Sequence, residues 1–164
     1  MRNLIQAMLL AGMVLLSGCV EEVVTMDQPA PSLAAVALDG ESVAWGDYAN
    51  TVKYLVFWSS SCGACMDAMP VLEALAIENP DTLIIIAINI DTDLDSLAEL
   101  VKQTKLTFPV LQDQLGITQE RYRVIGTPTA FVIDKEGIVR DAFQGMMSHR
   151  ALRQFIRSTI NKYS

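Results

Sequence analysis

Two cysteines separated by two residues, Cys62 and Cys65, are the side chains of this sequence best suited to chemistry. The stretch from Lys53 to Trp58 before them is mostly apolar and rich in strand formers, and Ala64 to Glu78 after them carries apolar residues at helical spacing. We therefore expect Cys62 at a helix N-terminus, where unpaired N–H groups and the helix dipole favour a thiolate. A thiolate with a second thiol within reach exchanges disulfides, so the pattern predicts a redox-active pair.

Two other uses of a Cys-x-x-Cys pair fit this chain less well. A structural zinc ion needs four ligands, and the chain offers beyond this pair only Cys19 and one histidine, His149. An inert structural disulfide conflicts with the reactive position at a helix N-terminus. We therefore expect no metal and no cofactor other than the Cys62–Cys65 disulfide itself.

The N-terminal residues have the pattern of an export signal. Arg2 precedes an apolar run from Leu4 to Leu16, which is too short for a stable transmembrane helix. The run ends in Leu16-Ser17-Gly18-Cys19, which resembles the bacterial lipobox. That resemblance implies cleavage after residue 18 and a lipid on Cys19, with residues 19–31 as a tether and 32–164 as the folded domain. The alternative is an ordinary signal peptide that ends near a cysteine.

Charge and cysteine content restrict the location and the partners. Removing residues 1–18 removes one basic side chain, so the net charge moves from −7 to −8. An acidic protein of this kind is not expected to bind nucleic acid. With Cys19 lipidated, Cys62 and Cys65 form a single pair, and disulfides persist outside the cytoplasm. We therefore expect an extracytoplasmic protein held to a membrane at Cys19.

The pattern along the chain predicts an α/β domain. Pro70 lies inside the helix that follows the cysteines and is expected to bend it. The order of elements predicts a parallel strand pair with an antiparallel edge, and it places Cys62 at the carboxyl end of a central strand. The predicted strands are Ala34–Leu38, Ser42–Trp45, Lys53–Trp58, Thr82–Ile90, Phe108–Leu111, Ala130–Asp134 and Ile138–Gln144, and the further predicted helices are Asp91–Gln103, Gln114–Tyr122 and Ser148–Lys162.

A second motif, Gly126-Thr127-Pro128-Thr129, precedes a strand near the C-terminus. Together with the cysteine pair and Pro70 it resembles the thioredoxin superfamily, and within it the membrane-tethered TlpA/ResA-like thiol–disulfide oxidoreductases. The resemblance implies a three-layer α/β/α fold around a central mixed sheet. It also implies that Pro128 is cis and packs against the cysteines, and that Thr127, Pro128 and Trp58 form the substrate-binding surface.

The same resemblance implies a reaction and its partners. Cys62 would attack a disulfide in a partner protein, and Cys65 would then release the reduced partner. The processes that the resemblance implies are cytochrome c maturation, copper-site assembly or disulfide repair. A membrane thiol–disulfide electron donor would then reduce the Cys62–Cys65 disulfide again. Oxidation of partner dithiols uses the same residues in reverse.

Three positions depart from the family pattern. Ser61 stands where a tryptophan often precedes the first cysteine, and Val56 and Ala68 stand where relatives carry proton-relaying carboxylates. The proton of Cys65 must then leave through water, the substrate, or another side chain such as Glu73 or Glu120.

Two other functions use the same cysteines. A Cu(I) carrier would bind the metal through both thiolates, helped by nearby methionines. A thiol peroxidase is the other alternative, because the middle and C-terminal parts also resemble redoxins. The residues before Cys62 lack the Pro-x-x-x-Thr-x-x-Cys loop usual in peroxiredoxins.

Overall fold

The computed structural model describes residues 22–164, so the predicted signal peptide and the predicted lipidation site at Cys19 lie outside the described residues. Within this part of the chain there are six strands, four α-helices and a short 3₁₀ helix over Trp45–Tyr48. The strands are β1 (Val36–Ala37), β2 (Val52–Trp58), β3 (Leu83–Asn89), β4 (Val110–Gln112), β5 (Thr129–Ile133) and β6 (Val139–Gln144). The helices are α1 (Gly63–Glu78), α2 (Leu94–Thr104), α3 (Ile117–Arg121) and α4 (His149–Tyr163).

The strands form one mixed sheet in the order β1-β4-β3-β2-β5-β6. β2 runs parallel to β3 and antiparallel to β5, and β6 continues the antiparallel edge. Every residue of β2 is buried, as expected for a central strand covered on both faces. The predicted α/β fold with a central mixed sheet is confirmed.

Apolar clusters cover both faces of the sheet and define the three layers. On one face α1, α2 and α4 contribute buried residues such as Leu72, Leu97 and Ile156. On the other face Tyr122, which follows α3, packs against Phe57 and Phe131 at ring-centroid distances of 5.5 and 5.0 Å. In this arrangement β2 is followed by α1 after a short loop, residues 59–62.

The first predicted hairpin differs from the structure. The predicted strand Ala34–Leu38 shortens to β1, which pairs antiparallel with β4, and only Ser42 makes a bridge back to Val36. Trp45 starts the 3₁₀ helix instead of ending a strand, because Asp47 accepts a hydrogen bond from the N–H of Ala44 at 2.8 Å.

Residues 22–31 fall in the predicted tether, and they are hydrogen-bonded to the domain. The N–H of Val24 donates to Arg121 O at 2.8 Å, and the N–H of Ala30 donates to Gly137 O at 2.9 Å. Both side chains also pack against the apolar cluster below them. The part of the predicted tether that the structure describes is therefore bound to the domain surface. No helix among residues 22–164 is both long enough and apolar enough to cross a membrane.

Candidate active site

Cys62 lies at the N-terminus of α1, and the three serines of residues 59–61 separate it from the end of β2 at Trp58. It is the N-cap residue, and its Sγ accepts a hydrogen bond from the N–H of Cys65 at 3.2 Å. Apolar residues along α1, among them Met69, Leu72 and Leu75, are buried against the sheet and hold the helix in place. The predicted position of Cys62 at a helix N-terminus is confirmed.

Cys62 and Cys65 form a disulfide, with a Cα–Cα distance of 5.2 Å. The two sulfur-bearing residues differ in exposure, because Cys62 is half-buried whereas Cys65 is only 2 % exposed. An incoming sulfur can therefore reach Cys62, while Cys65 is screened by the protein. The arrangement can support thiol–disulfide exchange in which the two cysteines have different roles.

The Thr127–Pro128 segment lies beside the start of α1. The bond between these residues is cis, which confirms the predicted conformation. Pro128 lines the same small cavity as Ala64, the residue between the two cysteines, and its carbonyl accepts a hydrogen bond from Gly145 N at 2.9 Å. Thr127, the residue before Pro128, is half-buried.

Trp58 does not form part of this surface, in contrast to the prediction. It is the last residue of β2 and only 1 % exposed, and it packs in the same apolar cluster as Cys65 and Met69. The carboxyl end of a central strand is covered by α1, so its side chain points into the core. Trp58 therefore packs in the core beneath the cysteine pair and is not accessible to a partner protein.

Pro70 lies inside α1, as predicted, and is solvent-exposed, whereas the bend expected at this position stays a prediction. Its neighbours Met66 and Met69 line a groove between α1 and the end of α2. Met69 is 3 % exposed and Met66 is partly buried against the core, so both methionines have packing partners.

An apolar cavity of about 30 Å³ lies between α1 and Pro128. Val56 and Ala68, the two positions where the family pattern has a carboxylate, are both part of its wall. The two carboxylates proposed as substitutes lie elsewhere. Glu73 accepts hydrogen bonds from the N–H and Oγ1 of Thr107 at 2.9 and 2.6 Å, and Glu120 belongs to α3 on the opposite face of the sheet. Neither carboxylate is part of the wall of this cavity.

Asp91 contacts the loop before Cys62, whereas from the sequence it was predicted only as the first residue of a helix. It lies just after β3, and its carboxylate accepts hydrogen bonds from Ser59 Oγ at 2.6 Å and from Ser60 N at 2.7 Å. Parallel strands β2 and β3 end side by side, so the residues that follow them meet. The contact could have been predicted from the sequence by pairing the two apolar strands in parallel, because the residues after each strand then lie side by side.

Asp67 and His149 form an exposed pair that connects α1 to α4. Asp67 Oδ2 lies 2.8 Å from His149 Nε2, so His149 has a partner although it is solvent-exposed. Among residues 22–164 no group of three or more histidine, cysteine, aspartate or glutamate side chains is placed to hold a metal ion.

Comparison with known proteins agrees with this geometry. The family model described as Redoxin matches residues 25–156. The thiol-disulfide oxidoreductase ResA of Bacillus thuringiensis is 30 % identical over 138 residues, which cover 84 % of this chain and 80 % of that protein.

Two solved structures are similar as well. A Chlorobium tepidum protein assigned as thiol:disulfide interchange protein DsbE has a TM-score of 0.76 at 28 % identity, covering 84 % of this chain and 99 % of that one. The exposed lipoprotein thioredoxin Etrx1 of Streptococcus pneumoniae has a TM-score of 0.67 at 26 % identity, covering 77 % and 98 %.

Proposed function

This chain belongs to the Redoxin family and is a thiol–disulfide oxidoreductase, and we propose that it reduces disulfides in partner proteins outside the cytoplasm while tethered to a membrane. One observation carries the proposal. A half-buried Cys62 at a helix N-terminus is bonded to a buried Cys65, with the cis Pro128 beside them. That asymmetry fits a pair in which one sulfur meets the partner and the other completes the exchange.

The proposed reaction transfers two electrons from the reduced pair to the partner. The Cys62 thiolate attacks one sulfur of the partner disulfide, forms a mixed disulfide and expels the partner's other sulfur as a thiolate, which takes up a proton. Cys65 then loses its proton and attacks Cys62 Sγ. The Cys62–Cys65 disulfide forms again, and the partner leaves with two thiols.

The chain's own residues position each step. The helix N-terminus at Cys62 stabilises negative charge on its sulfur in the reduced form. Thr127, next to Pro128, offers backbone groups with which an extended partner segment can pair. A thiol–disulfide donor in the membrane is the proposed source of the electrons that reduce the pair again.

The proposed tether is a lipid on Cys19. The sequence Leu16-Ser17-Gly18-Cys19 supports it, and one structural relative is an exposed lipoprotein. Glu22 is already bonded to the domain through Ser32 N, at 3.2 Å. The three residues from Cys19 to Glu22 span roughly 10 Å at most. A lipid on Cys19 would therefore hold the domain close against the bilayer surface.

The direction of electron flow is tested by the reduction potential of the Cys62–Cys65 pair, measured by equilibration in thiol–disulfide buffers. A value near or below about −250 mV, in the range of thioredoxin, would support a reductant. A value between about −120 and −180 mV, in the range of oxidants and isomerases, would contradict the proposed direction. For the tether, labelled palmitate should be incorporated into the unmodified protein and not into Cys19→Ala, and absence of label from the unmodified protein would contradict lipid anchoring.

A further inference from the structure

Asp91 is held by two buried amide side chains at the carboxyl ends of neighbouring strands, one bonded to its carboxylate and backbone N–H and the other to its backbone carbonyl. Asn89 of β3 donates from Nδ2 to Asp91 Oδ2 at 3.1 Å and accepts from Asp91 N at 2.9 Å. Gln112 of β4 donates from Nε2 to Asp91 O at 3.1 Å. Asn89 and Gln112 both have 0 % exposure, so their bonds anchor Asp91 to the sheet.

From this anchored position Asp91 holds the loop that leads to the active site. Ser59 Oγ donates to Asp91 Oδ1 at 2.6 Å, and Ser60 N donates to Oδ2 at 2.7 Å. Ser59 Oγ in turn accepts from Ser61 N at 3.2 Å, and Ser59 O accepts from Cys62 N at 3.1 Å. An unbroken series of hydrogen bonds therefore runs from the sheet through Asp91 and Ser59 to the backbone of Cys62.

The charge on Asp91 is stable at neutral pH. Burial opposes ionisation of this carboxyl, but the hydrogen bonds from Ser59, Ser60 and Asn89 outweigh burial, and the pKa of Asp91 lies below its ordinary value. Two further carboxylates lie near Asp91 and have partners of their own: Asp93 accepts from Ser96, and Asp113, whose N–H donates to Asn89 O, accepts from the N–H groups of Thr118 and Gln119. Asp67 on α1 and His149 on α4 pair with each other at 2.8 Å. Asp91 is thus a negative charge next to the loop, and its bonds fix where that charge lies.

We propose that Asp91 is a positioning residue of the reaction, which holds the Ser59–Ser61 loop so that Cys62 caps α1 and whose charge limits formation of the Cys62 thiolate. The inference rests on the proposed function for the role of Cys62 as the attacking sulfur. In this chain, with Ser61 before the cysteine pair, three serines and one carboxylate shape the approach to the active site.

The expected electrostatic effect follows from the distance. Asp91 lies 2.7 Å from Ser60 N, and Ser60 is two residues from Cys62. Backbone and side-chain dimensions then place Cys62 Sγ within roughly 12 Å of the carboxylate. At that range a like charge shifts a titration by about half a pH unit, given an effective dielectric constant between those of the protein surface and of water.

The test titrates Cys62 in the reduced full-length protein by the pH dependence of its alkylation with iodoacetamide, without any partner protein. Asp91→Asn removes the charge while keeping the shape, so the alkylation midpoint should fall by about half a unit. The reduction potential should also become less negative, because a more stable thiolate favours the reduced form. Asp93→Asn is the matched control. The Asp93 side chain bonds Ser96 at the start of α2, at 3.1 and 2.6 Å, and lies two residues beyond Asp91 along the chain, so Asp93→Asn should change both values less than Asp91→Asn does.

A second variant tests the loop by itself. Ser59→Ala removes the bonds that Ser59 Oγ makes to Asp91 and to Ser61 N, and it keeps the charge and the bond from Ser60 N. Exchange of Cys62 with a small aromatic disulfide should therefore slow severalfold with no fall in the alkylation midpoint. This variant also serves if Asp91→Asn does not fold.

An alkylation midpoint in Asp91→Asn that stays with the Asp93→Asn control, or that rises, would overturn the role of the charge. An exchange rate in Ser59→Ala equal to that of the unmodified protein would overturn the positioning role. Alkylation and small-disulfide exchange need no partner protein, so both tests can be read whether or not the protein is a reductant. Failure of the proposed reductant function would instead be seen in the reduction potential of the unmodified protein.

Discussion

Reduction of the Cys62–Cys65 disulfide should lower the stability of the fold, and by a modest amount. The bond closes a loop of only four residues. Loop-closure entropy of that size stabilises the oxidised protein by about 2 kcal/mol relative to the reduced one. The reduced protein regains about 1 kcal/mol, because the helix N-terminus stabilises negative charge on Cys62. We therefore expect the free energy of unfolding to fall by about 1 kcal/mol on reduction, a drop of about 3 °C in Tm.

The assay is urea denaturation at pH 7, followed by far-UV circular dichroism with and without a phosphine reductant. The double variant Cys62→Ser/Cys65→Ser is the control, and the reductant should not change its unfolding midpoint. The sign matters more than the size. A pair whose folded protein is more stable when oxidised has a lower reduction potential than the same pair in an unfolded chain, as a reductant requires. A reduced protein more stable than the oxidised one would refute this reasoning, since stabilisation of the reduced form is what makes a strong oxidant.

Three further predictions concern the surroundings of the pair. The pKa of Asp91 is lowered in the folded protein, so its ionised form adds stability at neutral pH, and this contribution is lost as pH falls below the ordinary aspartate pKa of 3.8. The difference in unfolding free energy between the unmodified protein and Asp91→Asn should therefore become smaller as pH is lowered in a series of denaturation experiments. Leu75 is 0 % exposed, so Leu75→Ala should cost about 3 kcal/mol of stability in urea denaturation yet leave the reduction potential unchanged. Ala68→Glu places a carboxylate at the cavity wall, and it should speed attack by Cys65 about tenfold or more in single-turnover release of a reduced partner; an equal gain in Ala68→Gln would contradict proton transfer as the cause.

The local features of the site could be predicted because the sequence encodes them over short stretches. The apolar run of β2 and the helical spacing after it place Cys62 at the start of α1, and no distant residue is needed for that inference. The amphipathic pattern after Ser148 likewise predicts α4, which the Ser148 side chain caps. The cis bond before Pro128 followed from the family resemblance rather than from any local pattern.

The features that the sequence reasoning missed depend on contacts between distant parts of the chain. Asp91 meets Ser59 across 32 positions, and the contact exists only because β2 and β3 end side by side. His149 meets Asp67 across 82 positions, where α4 packs beside α1. The burial of Trp58 has the same origin, since an apolar side chain at a strand end is exposed or covered according to which helix lies over it. Periodicity along one stretch does not carry this information.

The central claim is that Cys62 attacks the partner and Cys65 resolves the complex, and covalent trapping tests it most directly. Each single variant, Cys62→Ser and Cys65→Ser, is expressed with a purification tag, reduced, and mixed with oxidised proteins of the compartment in which it acts. The products are separated on non-reducing gels. We predict mixed disulfides with Cys65→Ser that disappear on adding dithiothreitol, and none with Cys62→Ser, because only Cys62 is accessible to a partner sulfur. Adducts formed by Cys62→Ser instead, or adducts formed by neither variant, would contradict the assignment.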